Sequence, residues 1–189
     1  MATLLLFTLF WYAPTAIMPV DSHSILPVAG IIFVLTYILP VISVLTLKLT
    51  KSISSLKLEV RRERLLPFSF ITMWYGLTAY FFITKPSLGL SFMIMFVCMT
   101  ITGLLVTVIT SFFKISAHTA GTAGFLALLL VFHLKYLDSM LFIPLMVAFV
   151  LHGAVSSARL YLNSHSPLEV HLGSLLGFAV NFTTAFLLL

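Results

Sequence analysis

The segment at residues 157–173 contains the residue types best suited to chemistry. Arg159 is followed after five residues by His165, and His165 is followed after three residues by Glu169. Pro167 suits the first turn of a helix, so we expect His165 and Glu169 to approach each other across a helix start, where the carboxylate would orient the imidazole. Charged and ionisable side chains are costly beside hydrocarbon, and long apolar runs flank this segment. The pattern therefore indicates a functional site.

A second group of cations precedes residue 65. If residues 57–64 are helical, Lys57, Arg61 and Arg64 fall at i, i+4 and i+7 and form one stripe. Such a stripe suits a multiply charged anion. A solvated loop is the alternative interpretation: it explains the charge but does not require the stripe.

A third segment joins small residues and hydroxyls to one histidine. Between Lys114 and Gly121 the chain carries Ser116 and His118 at the start of an apolar run. Backbone N–H groups at a helix N-terminus attract anions. A histidine at a helix start is more often structural, so this segment is weak evidence alone.

Composition requires a membrane protein, because 61% of the residues are hydrophobic and only 8% are charged, against about a quarter charged in soluble domains. Closed barrels need alternating segments of about ten residues, whereas residues 88–109 are continuously apolar. We therefore predict an all-α polytopic transmembrane helical bundle with six to seven spans, in which residues 1–189 form a single integral membrane domain. The predicted spans are 3–19, 25–47, 65–84, 88–112, 118–134, 139–160 and 168–189, of which the first and fifth are short and could be tilted or re-entrant.

The order of the spans brings the three segments together. Two crossings separate residues 57–64 from residues 114–121, and two more separate residues 114–121 from residues 157–173. Two crossings return a chain to the face from which it started. We therefore expect one membrane face to carry Arg61, Arg64, Lys114, His118, Arg159 and His165.

The pattern at residues 157–173 has a known counterpart. Arg159, five residues, His165, three residues and Glu169 resembles the third signature of the type 2 phosphatidic acid phosphatase superfamily, the lipid phosphate phosphatases. That signature reads Ser-Arg, five residues, His, three residues, Asp. In this chain Ala158 precedes the arginine and glutamate replaces aspartate.

The other two segments resemble the remaining signatures. Residues 115–118, Ile-Ser-Ala-His, are similar to Pro-Ser-Gly-His, and Lys57, six residues, Arg64 matches the spacing of Lys, six residues, Arg-Pro. The proline is delayed to Pro67, which leaves open whether Lys57 or Arg61 takes the lysine position. The chain thus resembles a divergent member of the superfamily.

The resemblance implies a metal-independent hydrolase without a cofactor. His165 would be the nucleophile that forms a phosphohistidine intermediate, Glu169 would orient it, and His118 would protonate the leaving oxygen. The substrate would be phosphatidate, phosphatidylglycerophosphate or a polyprenyl diphosphate. Phosphate binding would fall to Arg159, Arg64, Arg61, Lys57, Lys114 and Ser116.

Two other functions remain open at this point. One is a catalytically inactive relative that binds a lipid phosphate without hydrolysing it. The other is a haem-binding electron-transfer protein with paired histidines, which leaves the arginines unexplained. Among histidines outside the matched positions, His152 is expected to hydrogen-bond inside the bundle.

Partners and location follow from the membrane character. No soluble domain presents a basic face, so a nucleic-acid partner is not expected. We expect an integral protein of a bacterial inner (plasma) membrane. The face that carries the site stays open, because several charges that would orient the chain by the positive-inside bias are themselves the proposed ligands. The oligomeric state also stays open.

Overall fold

The computed structural model describes residues 1–17, 23–56, 61–85, 89–137 and 139–189, without the side chain of Arg61. Every regular element in these ranges is helical, which confirms the predicted all-α class. The α-helices are α1 (Ala2–Tyr12), α2 (Ile25–Phe33), α3 (Leu39–Leu49), α4 (Leu65–Ile83), α5 (Leu90–Phe112), α6 (Ala117–Tyr136), α7 (Phe142–Tyr161) and α8 (Pro167–Leu188).

Within the described ranges, six helical stretches are long and apolar enough to cross a membrane, as the sequence predicts. A π-helical turn at Val34–Ile38 joins α2 to α3, so that Ile25–Leu49 is one continuous stretch. The predicted short segment at 118–134 is the full 20-residue helix α6. The other stretches are Arg62–Ile83, Leu90–Phe112, Ser139–Tyr161 and Pro167–Leu188.

In the described part of the first predicted segment, 3–19, the α-helix is shorter than predicted, and residues 18 and 19 lie outside the described residues. Helix α1 has 11 residues and is about 16 Å long at 1.5 Å per residue, which is too short to cross a hydrocarbon core of about 30 Å. Its Leu5, Leu6 and Leu9 are buried. The helix therefore packs into the bundle, and the residues that the structure describes contain six long spans rather than seven.

The central helix of the bundle is α6, and its closest partner is α8. A Cβ atom added at Gly177 would overlap the carbonyl oxygen of Ala120, and one added at Gly173 would lie 2.6 Å from the carbonyl oxygen of Ser116. Small residues let two helix backbones approach closely in a membrane, where packing rather than the hydrophobic effect holds helices together. This contact brings the first turns of α6 and α8 side by side.

Candidate functional site

The turn between α7 and α8 is a tight helix ending. The N–H of Ser164 donates to the carbonyl of Arg159 at 3.2 Å, and the N–H of Asn163 donates to the carbonyl of Leu160 at 3.0 Å. These two bonds, with Asn163 at a φ of 50°, form a Schellman motif, in which asparagine is one of the few residues that accept the left-handed conformation. The motif reverses the chain at once and places His165 beside the end of α7.

Helix α8 begins with a partial capping box. The side chain of Ser166 accepts a hydrogen bond from the N–H of Glu169 at 3.4 Å, and Pro167 occupies the first turn. In a complete capping box, the side chain of Glu169 would also accept a hydrogen bond from the backbone N–H of Ser166. Instead, Oε2 of Glu169 lies 2.6 Å from Nδ1 of His165. The predicted approach of these two side chains is confirmed.

The surroundings of His165 favour the neutral imidazole. Burial lowers the pKa of His165, the hydrogen bond to Glu169 raises it, and the charge of Arg64 lowers it, with a net shift below the ordinary value. A neutral ring whose Nδ1–H donates a hydrogen bond to the carboxylate keeps a lone pair on Nε2. The imidazole is thus prepared to act as a nucleophile through Nε2.

Lys114 holds this turn from the loop between α5 and α6. Its Nζ donates to the carbonyl oxygen of Ser164 at 2.9 Å and lies 3.8 Å from Oε2 of Glu169. Both partners are neighbours of His165 in space. The structure therefore gives Lys114 a positioning role within the protein, and its contact with phosphate stays a prediction.

The start of α6 is tied directly to the start of α8. The N–H of Ser116 donates to the carbonyl of Glu169 at 3.3 Å, and Oγ1 of Thr119 donates to the carbonyl of Val170 at 3.2 Å. These bonds place His118, on the first turn of α6, next to the His165–Glu169 pair. His118 interacts electrostatically with Arg159, His165 and Arg64.

Two arginines supply positive charge at this place. Arg64 ends the 3-10 turn Arg61–Arg64 before α4 and is only 7% exposed. The Arg159 guanidinium, on the last turn of α7, has no ion pair or hydrogen bond within the described ranges. Lys114 is the third cation. Among the described residues, Glu169 is the carboxylate that interacts with Lys114 and Arg64, so positive charge exceeds negative charge here, which suits an anion. The predicted contributions of Lys57 and of the Arg61 side chain lie outside the described residues.

A buried hydroxyl adds to this picture. The side chain of Ser116 is fully buried, and its Oγ has no hydrogen-bond partner in the part of the chain that the structure describes. Buried polar groups in native proteins are nearly always hydrogen-bonded, so an orphan of this kind requires an explanation. A ligand oxygen that enters beside Ser116 would provide one.

A cavity of about 280 Å³ begins beside His118 and is lined by residues of α4, α5, α6 and α8. The sequence predictions did not include it. The one available signal is the run of small residues from Ala117 to Gly124, which leaves space along one side of α6. Elsewhere, the predicted hydrogen bond of His152 is confirmed, because its Nδ1 lies 2.8 Å from Oγ1 of Thr122.

Comparison of the chain with protein-family models, with curated proteins and with solved structures finds no match. We therefore infer the function from the geometry of the site and from the residue patterns above.

Proposed function

We propose that this integral membrane protein hydrolyses a phosphate ester or diphosphate of a membrane lipid through a phosphohistidine at His165. The observation that supports this most directly is the 2.6 Å contact between His165 and Glu169 beside an excess of arginine and lysine charge. The resemblance to the lipid phosphate phosphatases leads to the same residues by a separate argument.

Binding of the phosphoryl group would begin with the cations. A phosphate ester resists nucleophiles because its own oxygens are negatively charged, so neutralisation must come first. The guanidinium of Arg159 has no other described partner, and Arg64 lies close enough to act electrostatically on both histidines. The orphan hydroxyl of Ser116 would donate to a phosphoryl oxygen.

The first chemical step would form the phosphoenzyme. The Nε2 lone pair of His165 attacks phosphorus, and the bond from phosphorus to the lipid oxygen breaks. His118 donates its proton to that oxygen, so the lipid leaves as an alcohol, or as a monophosphate if the substrate is a diphosphate. Glu169 stabilises the positive charge that develops on the His165 ring.

The second step would return the enzyme to its first state. A water molecule gives a proton to His118 while the oxygen of that water attacks phosphorus. The bond between phosphorus and Nε2 of His165 breaks, and inorganic phosphate leaves. One water is consumed, and both histidines regain their original protonation.

The lipid character of the substrate follows from the location of the site. Helices α4, α6 and α8 each begin at the site and α7 ends there, so the phosphoryl group would sit at head-group level while its hydrocarbon stays within the spans. We place the protein in a bacterial inner (plasma) membrane as part of the same proposal. Phosphatidate, phosphatidylglycerophosphate and polyprenyl diphosphates are the candidate substrates.

Phosphate release from the purified protein tests the proposal. We expect wild type to release phosphate from at least one of these lipids and His165→Ala to be at least about a thousandfold slower, as for loss of a catalytic nucleophile. His171→Ala is the matched control, because His171 is exposed on α8 and outside the site. Equal slow release by wild type and His165→Ala would refute catalysis. Tight binding of a lipid phosphate without release would indicate the non-hydrolysing alternative.

A further inference from the structure

The cavity beside His118 extends from the candidate site toward the middle of the helix bundle. Along α6 its lining extends from Ala117 to Leu128, which is about 16 Å at 1.5 Å per residue. This is roughly half of a hydrocarbon core about 30 Å thick. One end of the cavity therefore contains the proposed general acid, and the other lies deep among apolar side chains.

The wall of the cavity is mostly apolar, although Tyr75, the N-terminal residue Met1 and several other polar residues contribute to it. Nδ2 of Asn181 donates to Oγ1 of Thr102 at 2.8 Å and to the carbonyl of Gly177 at 2.7 Å. Oγ1 of Thr72 lies 3.2 Å from Oγ1 of Thr107. These groups use their hydrogen-bonding capacity within the protein. Phe68, Met99 and Val106 are among the other lining residues.

We infer that this cavity holds a single linear hydrocarbon chain of the lipid whose phosphoryl group binds between His118 and His165. The inference depends on the proposed function for the position of the phosphoryl group. The cavity is about 280 Å³ in volume and about 16 Å long beside α6, so it takes one chain, and a second chain must stay in the bilayer.

Gly121 is the residue that keeps this space open. It lines the cavity, and a Cβ atom added there would meet nothing within 4 Å. A leucine at this position would project its branched side chain into the room that the hydrocarbon chain needs. Gly121→Leu should therefore block the chain without a backbone clash.

Gly153 provides the matched control. It is also a helical glycine whose added Cβ would meet nothing within 4 Å, but it is exposed on α7 and does not line the cavity. Gly153→Leu makes the same chemical change outside the proposed chain site. Gly121→Ala, which adds one methyl group, is a milder change in the cavity itself.

The test measures binding of n-alkyl phosphonates from one to twelve carbons, which resemble phosphate esters but cannot be hydrolysed. The protein is kept in a steroid-based detergent, because a linear detergent chain would compete for the cavity. For wild type we expect the dissociation constant to fall by about fourfold per added carbon, as for burial of a methylene, and to level off once the chain is longer than the cavity. The readout is the ratio of the methyl to the nonyl dissociation constant.

We expect Gly121→Leu to reduce this ratio at least about tenfold, Gly121→Ala to reduce it by less, and Gly153→Leu to leave it as in wild type. A wild-type ratio near one, or a Gly121→Leu ratio equal to that of wild type, would overturn the chain site. If Gly121→Leu does not fold, an unchanged ratio in Gly121→Ala together with no levelling at any chain length would also overturn it.

Separate measurement of phosphate release distinguishes this inference from the proposed function. Hydrolysis by wild type without dependence of binding on chain length would refute the chain site alone. Chain-length-dependent binding that Gly121→Leu removes, in a protein that releases no phosphate, would support the chain site and refute catalysis.

Discussion

Replacement of Lys114 by methionine separates two roles that the sequence and the structure give to this residue. The residue pattern predicts a phosphate ligand, whereas the structure shows Nζ bonded to the carbonyl of Ser164 at 2.9 Å and 3.8 Å from Glu169. If Lys114 positions the turn that carries His165, Lys114→Met should lower kcat and leave phosphate binding almost unchanged. If it binds phosphate, the affinity for phosphate should fall instead.

The size of the effect follows from the two contacts. A hydrogen bond with a charged donor contributes about 1.5–3 kcal/mol, and a partly exposed ion pair adds about 0–1 kcal/mol. The side chain of Lys114 is 32% exposed, so solvent screening places the total at the lower end, about 1.5 kcal/mol. If that free energy orients His165 in the transition state, kcat should fall about tenfold.

The assay compares initial rates of phosphate release with the inhibition constant of inorganic phosphate. Lys114→Met should lower kcat about tenfold while the inhibition constant stays within about threefold of wild type, since the loss is confined to orientation. Lys114→Arg keeps a charged donor and should recover part of kcat. Lys135→Met is the matched control, because Lys135 lies in the last turn of α6, at the opposite end from the site, with its Nζ 4.4 Å from the centroid of the Phe186 ring.

One result would refute the positioning role. If Lys114→Met raises KM and the phosphate inhibition constant together about tenfold with kcat unchanged, the lysine binds the phosphoryl group. The bond from Lys114 to the carbonyl of Ser164 would then describe only the protein without bound phosphate.

Three further changes test the site and its framework. Glu169→Gln removes the carboxylate that raises the pKa of His165, so the acid limb of the pH–rate profile should move to lower pH than in wild type, and the maximal rate should fall at least about a hundredfold. A limb that moves to higher pH in this variant would contradict the assigned contact. Arg159→Met should raise the inhibition constant of inorganic phosphate at least about tenfold, the value of one charge-assisted bond, without a change in melting temperature, since no described ion pair is lost; an unchanged constant would remove Arg159 from the phosphate site. Gly177→Val would drive a side chain into the carbonyl of Ala120 and should cost about 3 kcal/mol of stability, seen as a lower melting temperature, whereas Gly30→Val, where an added Cβ meets nothing within 4 Å, should melt as wild type does. Equal melting of the two glycine variants would show that α6 and α8 can separate at little cost.

Much of the fold is readable from sequence because long apolar runs have few structural alternatives in lipid. Backbone groups in hydrocarbon must be bonded within the segment, so a run such as residues 88–112 is a helix regardless of its side-chain order. An even number of crossings separates Arg64, His118 and His165 from one another, so these residues lie at the same membrane face. The end of the short helix α1 could not be predicted in this way. An apolar run of 17 residues does not reveal that Tyr12 ends the helix before the 3-10 turn Pro14–Ile17.

The contacts that define the site are harder to anticipate. The partial capping box of Ser166 and Glu169 has a sequence signature, yet nothing local shows that the carboxylate turns to His165 rather than to the serine N–H. The partner of Lys114 is a backbone carbonyl that lies 50 residues further along the chain. The cavity depends on the space that Gly121 leaves between helices, which no periodic pattern encodes.

The register of α8 against α6 determines whether the site exists at all. Small residues recur every four positions on both helices, at Gly173 and Gly177 on α8 and along the facing side of α6. Such a repeat alone would also allow a slip of one turn, about 5.4 Å, which would carry Glu169 away from Ser116 and His118. The buried amide of Asn181 opposes that slip, because its Nδ2 donates to Oγ1 of Thr102 on α5 at 2.8 Å and would lose that bond after a shift, keeping only its bond to the carbonyl of Gly177 on its own helix. One polar side chain in the middle of the bundle thus selects the register that holds the two histidines together.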